Sequence, residues 1–376
     1  MRLMKTNHRP DVQKIRVVDL FCGVGALTHG MILEGLNVVA GVDNDLSCRF
    51  AFEKNNAARF IHKDISKFSS TELQRLYAGS SLKILIGCAP CQPFSSISKK
   101  GSAYKADDVR WRPLRRFIRL IKDVRPHIVS MENVPELLNK KKYRIFGELI
   151  RALNATGYTT AFKVVDVSRY GVPQRRKRLV LLASLLGKIE CIPETHSEQN
   201  VVTVAHAIRR LRPLRDGEMD PSDPLHRASK LSARNKRRIV ATPKNGGSAK
   251  NWPVALFPQC YRRKSGRSFM ATVYGRMRWD QPAPTMTTHC VTLGTGRFGH
   301  PTQNRAISLR EAARFQSFPD YYEFEDSQKI RTTRVAKQIG NAVPVLLGRV
   351  IAKSIKTHIS SLRARPSLTS PVRERK

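Results

Sequence analysis

The chain has 376 residues, with 68 Lys and Arg against 29 Asp and Glu, a net charge of +39 and a pI near 10.7. That length supports one large or two medium domains with a real core, and the charge draws the protein to polyanions, nucleic acid first and an acidic membrane surface second. No apolar run approaches the roughly 18 residues of a membrane span, the start MRLMKTNHRPDVQK has no signal-peptide core, and seven scattered cysteines make no disulfide framework; the expectation is a cytoplasmic protein with reduced thiols and no membrane partner.

Short runs rich in Val, Ile and Leu predict buried strands at 15–21, 36–43, 82–88, 127–134 and 178–184. Helices are predicted between them at 24–34, 46–55, 70–78, 110–124 and 144–156. Within 110–124, Leu114, Phe117, Ile118, Leu120 and Ile121 form one apolar stripe opposite basic residues. This alternation predicts an α/β fold with a doubly wound, mostly parallel sheet. From 190 to 285 the chain carries scattered Pro, Gly and Asn, which predicts a smaller, irregular second domain. Helices return at 308–316 and, as one element, at 334–358. The end, SLRARPSLTSPVRERK, reads as a basic disordered tail.

The stretch VVDLFCGVGALTHG (17–30) reads as a strand, a glycine loop and a helix start. Gly23 and Gly25 let the backbone approach a ligand closely. Asp43 ends the next strand, where an acid at the switch-point crevice accepts hydrogen bonds from ribose hydroxyls. The dinucleotide fingerprint fails, because position 28 is Thr and the next glycine is Gly30. A cofactor with a ribose but no pyrophosphate fits better, and S-adenosylmethionine is the obvious one. In GCAPCQPFS (87–95), Cys88 and Cys91 could be a redox pair, half a zinc site, or one working cysteine beside an unrelated one. No second CxxC or His pair supports zinc. Cys88 reads as a small apolar residue at the strand end, and Cys91 as the opening of a loop where α/β active sites lie.

Ordered blocks now resemble one family. DLFCGVGALTHG, GVDND, GCAPCQPFS, MENV, YGVPQRRKR and QIGNAVP, with PAPTMTT and ISLREAARFQSFP between the last two, resemble the cytosine-C5 DNA methyltransferases and span 17–344. The resemblance implies a sheet of the S-adenosylmethionine-dependent methyltransferase type. It implies that Cys91 is the nucleophile, that Glu132 hydrogen-bonds the cytosine, that Arg178 contacts the base O2 and that Arg176 supports the same pocket. It implies cofactor contacts at Phe21, Gly23, Gly25, Asp43, Asp64, Ile65, Pro90, Asn341 and Ala342, and at Asn44, where the family often has a large apolar residue beside the adenine. Two other departures are Ala26, in place of a second glycine, and GCAPC, in place of GGPPC or GGFPC.

The expected division is a catalytic and cofactor domain at 1–188 completed by 331–362, a target-recognition domain and hinge at 189–330, and the tail at 363–376. The implied partner is double-stranded DNA, handled by a monomer, with a cognate restriction endonuclease as functional counterpart and no metal. A transfer-RNA methyltransferase, an inactive DNA-binding relative and a thiol oxidoreductase using both Cys88 and Cys91 remain as competing readings.

Overall fold

Four predicted strands come out within two or three residues of their expected ends, in a computed structural model that describes residues 14–90, 109–139, 143–262 and 270–364. They are β1 (Ile15–Leu20) and β2 (Val38–Asp43), then, after the short β3 (Arg59–His62), β4 (Leu82–Gly87) and β5 (Ile128–Asn133). Next come β6 (Thr159–Asp166) and β7 (Lys177–Ser184), the latter also expected. All seven form one sheet in the order β3-β2-β1-β4-β5-β7-β6. β1 to β5 pair in parallel, and β7 runs antiparallel between β5 and β6. The order reverses between β1 and β4, which opens a crevice at the carboxyl ends of the strands.

β3 and β6 were not predicted, for a physical reason. β3 has four residues and buries only Phe60, and β6 is an edge strand that leaves Phe162 and Val164 nearly half exposed. Neither has the continuous apolar run of a doubly covered strand.

The helices follow the predicted alternation: α1 (Ala26–Leu33), α2 (Arg49–Asn55), α3 (Ser70–Leu76), α4 (Arg112–Val124) and α5 (Ile145–Ala155). The stripe on α4 buries Leu114, Phe117, Leu120 and Ile121 against one sheet face, with α3 and α5 beside it. In the irregular stretch are α6 (Val204–Ile208), the hairpin β8 (Met219–Asp220) and β9 (Asp223–Arg227), α7 (Ala233–Val240) and α8 (Gln259–Arg262). α9 (Leu309–Phe315) follows, closed by a Ser308–Glu311 capping box.

The single helix expected at 334–358 is two: α10 (Thr332–Asn341) and α11 (Val345–Ala364). Ala342 turns extended, and Pro344 disfavours helical backbone at Val343. α11 also runs on to Ala364, past the expected start of the tail at 363.

α11 covers the second sheet face together with α1. The two helices cross on glycines: a Cβ on Gly30 would lie 2.6 Å from the Val345 carbonyl oxygen and 2.7 Å from the Arg349 nitrogen. Both are backbone atoms with no flexible end to move aside. Replacing Gly30 by Ala gains about 1 kcal/mol of helix propensity, but overpacking typically costs about 1–3 kcal/mol. Gly30→Ala is therefore expected to lower the urea midpoint of unfolding, and an unchanged or raised midpoint would contradict this crossing.

Candidate active site

Because β7 runs antiparallel to β5, its first residues lie at the carboxyl end of β5. Glu132 faces Val180 in the register, so Arg178, two residues earlier on β7, shares the face of Val180. Arg178 Nε stands 2.8 Å from Glu132 Oε1, with both side chains largely buried. The contact lies off the N–H direction, so charge rather than a directed hydrogen bond couples them. On the other side, the Cys88 thiol donates to Glu132 Oε2 at 2.8 Å. The expectation of Cys88 as a merely apolar strand-end residue is corrected: β4 ends beside β5, and the chain leaving it turns the thiol onto the carboxylate.

Asn133, also buried, donates from Nδ2 to the Ala89 carbonyl at 3.2 Å. The end of β5 thus holds the chain that leads to Pro90, which is exposed. Cys91 lies outside the described residues.

The arginines of 174–178 diverge. Arg175 and Lys177 are exposed, whereas Gln174 and Arg176 are buried. Arg176 donates from Nη1 to the Met286 carbonyl at 3.0 Å and from Nη2 to the Ala342 carbonyl at 3.4 Å. It therefore reaches toward the returning chain, while Arg178 meets Glu132.

The glycine loop follows β1. Phe21, Gly23 and Gly25 all have left-handed backbone, with φ of 61°, 52° and 87°. For Phe21 that conformation is costly, the kind of strain that clusters at ligand sites. Gly25 is sterically obligatory, since a Cβ there would meet Asn56 Nδ2 at 2.7 Å and Phe52 Cδ2 at 2.8 Å. A Cβ on Gly23 would meet nothing within 4 Å, so this loop faces open space with bare backbone. Asp43 Oδ2 accepts the Gly23 N–H and Oδ1 accepts the Asp45 N–H, both at 2.8 Å. Burial pushes the Asp43 carboxyl above its usual range, and these two donors pull it back.

Asn44 is exposed, with His62 on its carbonyl at 3.1 Å. Asp64 is exposed and caps the next turn by accepting the Ser66 N–H at 2.7 Å; hydrogen bonding from the Ser66 hydroxyl, and then from its N–H, holds the carboxyl low. Ile65 is buried. From the far end of the chain, α10 reaches the same rim: Gln338 Nε2 donates to the Ser47 carbonyl at 3.0 Å and Lys337 pairs with Asp45 at 3.1 Å. Asn341 is exposed and Ala342 buried at the end of that helix. The structure thus gathers Phe21, Gly23, Asp43, Asn44 and Asp64 at the ends of three adjacent strands, with Asn341 on the helix that leans over them. Open space beside bare backbone and a carboxylate with lone pairs to spare fits an adenosyl ligand with ribose hydroxyls.

Sequence reading missed the groups that back this crevice. The Tyr322 hydroxyl donates to the Val24 carbonyl at 2.5 Å, and His29 bridges Asn56 Oδ1 and the Tyr321 hydroxyl, each at 3.1 Å. Their only sequence signal is polarity inside predicted helices or loops. It also missed Asp19, wholly buried on β1, which accepts from Thr28 Oγ1 at 2.7 Å and whose Oδ1 has no partner among the described residues.

Two stability tests follow from these buried charges. Removing one member of a buried ion pair costs about 3–5 kcal/mol because the other is left uncompensated. Arg178→Met is therefore expected to destabilise strongly in urea unfolding, and adding Glu132→Gln to recover part of the loss; simple additivity would refute the pairing. For Asp19, burial pushes the carboxyl up to about 7. Between about pH 4 and 7 the folded protein keeps a proton that the unfolded chain has released, so stability falls as pH rises through that window. Asp19→Asn lacks this slope. Its stability relative to the parent should improve by up to roughly 4 kcal/mol between pH 4 and pH 8, and a pH-independent difference would sink the assignment.

The family model for C-5 cytosine-specific DNA methylase matches residues 15–357. The chain is 48% identical over 349 residues to the Type II methylase M.HgiDII of Herpetosiphon aurantiacus, covering 93% of this chain and 97% of that one. It is 30% identical over 340 residues to the Type II methyltransferase M1.HphI of Haemophilus parahaemolyticus, covering 90% and 86%. Among solved structures, a protein assigned as a DNA modification methyltransferase and encoded within an E. coli prophage shares the fold, with a TM-score of 0.69 at 21% identity over 92% of this chain and 99% of that one.

Proposed function

The chain belongs to the C-5 cytosine-specific DNA methylase family and is a DNA cytosine-5 methyltransferase, and from that premise we propose that it acts on a cytosine flipped out of duplex DNA through a covalent bond from Cys91 to C6. The observation that carries the reading is the buried Glu132–Arg178 pair at the end of β5, a carboxylate and a guanidinium held side by side. Together they can read one edge of a cytosine: Glu132, protonated when the base is bound, donates to N3 with one oxygen and accepts the N4 amine with the other, and Arg178 donates to O2.

Cytosine C5 is a poor nucleophile. Addition of the Cys91 thiolate to C6 makes C5 enamine-like, and only a cysteine is nucleophilic enough for this near pH 7. Glu132 takes up a proton from solvent as the base binds, delivers it to N3 as the thiolate adds, which drains charge from the ring as general acid catalysis, and takes it back when the ring is restored. S-adenosyl-L-methionine supplies the electrophilic methyl group. Loss of the C5 proton to a base, with water as the candidate, then restores the ring and expels Cys91. Cys91 is assigned from the Pro-Cys-Gln of the family pattern, and Asn133 holds the Ala89 carbonyl two residues before it in the chain.

Phe21 offers its ring to the adenine and Asp43 its carboxylate to the ribose, with Gly23 and Gly25 passing the methionine portion. Asn44, Asp64, Ile65, Pro90, Asn341 and Ala342 complete the contacts. Residues 1–188 with 331–364 serve as the catalytic unit, 189–330 as the target-recognition unit and the residues after α11 as a basic tail. The base cannot be reached inside a duplex, so it must leave the stack. The Type II naming of these relatives supports a role in protecting DNA from a partner restriction endonuclease; a cytoplasmic monomer suffices, since one active site and one recognition region serve one strand at a time.

The test is methyl transfer from labelled S-adenosylmethionine to unmethylated plasmid DNA, with modified cytosines mapped at base resolution. Methylation confined to one short sequence is expected. Transfer to transfer RNA alone, or DNA binding without transfer, would overturn the proposal. Cys91→Ser should abolish transfer, and Glu132→Gln should slow it by about 10²–10⁴-fold. Cys88→Ser keeps a donor on Glu132 and should retain most activity, whereas an oxidoreductase working through both cysteines would lose it.

A further inference from the structure

Five buried residues from four separate stretches of chain close a ring of hydrogen bonds behind the candidate pocket. Gln316, at the end of α9, donates from Nε2 to the Ala342 carbonyl at 2.9 Å and to the Ile339 carbonyl at 2.6 Å. Its Oε1 accepts from Gln174 Nε2 at 2.8 Å. Gln174 Oε1 accepts the Met286 N–H at 2.8 Å. The Met286 carbonyl accepts Arg176 Nη1, and Arg176 Nη2 reaches back to the Ala342 carbonyl.

Each half of the ring borders one half of the site. Ala342 follows Asn341, on the side proposed for the cofactor. Arg176 lies two residues from Arg178, on the side proposed for the base. Gln316 stands in the middle and is wholly buried. Its amide is the one group in the ring that offers two donors to the 339–342 turn and an acceptor to the 174–178 run. Its own anchor is rigid: the Ser308–Glu311 capping box fixes the start of α9, and Arg305 grips Glu311 with two bonds of 2.7 and 2.8 Å.

We propose that Gln316 is a positioning residue that couples the two half-sites, so that filling the cofactor side at the 341–342 turn sets Arg176, and through the start of β7 that follows it Arg178, for the base. This rests on the function proposed above. Coupling of this kind is reciprocal and is carried by elements that both sites bias. A purely structural amide would contribute to stability and leave the two binding events independent.

The experiment uses Gln316→Met, which keeps the length and removes both donors. Calorimetry gives the affinity for S-adenosylmethionine with and without a duplex containing the target site, in parent and variant, alongside the thermal midpoint and the single-turnover rate of methyl transfer. In the parent, DNA should tighten cofactor binding by about fivefold or more, the lower range of measured couplings. In Gln316→Met that ratio should fall to near unity, and single-turnover transfer at saturating ligands should drop. If the variant does not hold its fold, Gln174→Met breaks the ring at the next member and should give the same loss of coupling. A lowered thermal midpoint with the ratio unchanged would overturn the proposal, as would a parent without coupling. A parent that transfers no methyl group to DNA would instead fail the functional reading itself, and the two failures are distinguishable.

Discussion

The antiparallel insertion of β7 between β5 and β6 is the constraint on which the site depends. Parallel strands would carry their chemistry only on the loops that follow them. With β7 reversed, its opening residues stand beside the closing residues of β5, and Arg178 meets Glu132 within the sheet itself. The side-chain period of two makes this placement unforgiving: a slip of one residue would turn Arg178 to the opposite face. Six register pairs between β5 and β7, each with at least one apolar member, hold it. A buried ion pair of this kind contributes little net stability, because desolvating both charges offsets their attraction. Its retention at the end of a central strand is understood through what the pair can bind.

The rest of the site is assembled by the chain coming back on itself. α11 lies on α1 through Gly30, Tyr322 holds the carbonyl of Val24, and α10 leans on Ser47 and Asp45. These contacts join residues about 300 positions apart, and they meet the glycine loop, the helix it opens or the end of the next strand. The loop needs this support. Three left-handed residues in five are expensive backbone, and such geometry persists only where its surroundings over-determine it.

Sequence pattern reveals some of this and hides the rest, for identifiable reasons. β1, β2, β4, β5 and β7 are legible because strands covered on both faces are apolar along most of their length. β6 is not, since an edge strand has only one partner and tolerates Thr159, Lys163 and Asp166. The break between α10 and α11 was signalled by Pro344 but outweighed by continuous apolar periodicity. Glu132 and Arg178 are legible as family motifs, but their mutual contact is set by strand register, which one sequence does not display. Cys88 was misjudged because a thiol reads as a small apolar group, and its role turned on a neighbouring strand 44 residues away. Gln316 lies inside a family-like block, but its role has no local signal: a glutamine at the end of a helix is ordinary until its partners arrive from two other stretches.

The charge that dominates the composition requires the same distinction between count and placement. Arg276 is buried and donates to the carbonyls of Thr242, His300, Gln303 and Ile239 and to Asn304, with burial pushing it down to about 10. Arg305 is locked on Glu311; burial alone would raise that carboxyl, but the guanidinium holds it down to about 2. Arg238 is turned inward over the rings of Trp252 and Tyr274. These cations stiffen the irregular region in place of a regular sheet, and none is free to meet a phosphate. On the same α7 that buries Arg238, Arg234 and Arg237 stand exposed, outside any ion pair among the described residues. A polyanion is therefore met by a subset of the basic residues, chosen by which helix face is left open. The region between β7 and α9 uses one residue type for two purposes: arginine inside as a many-handed hydrogen-bond donor, and arginine outside as charge.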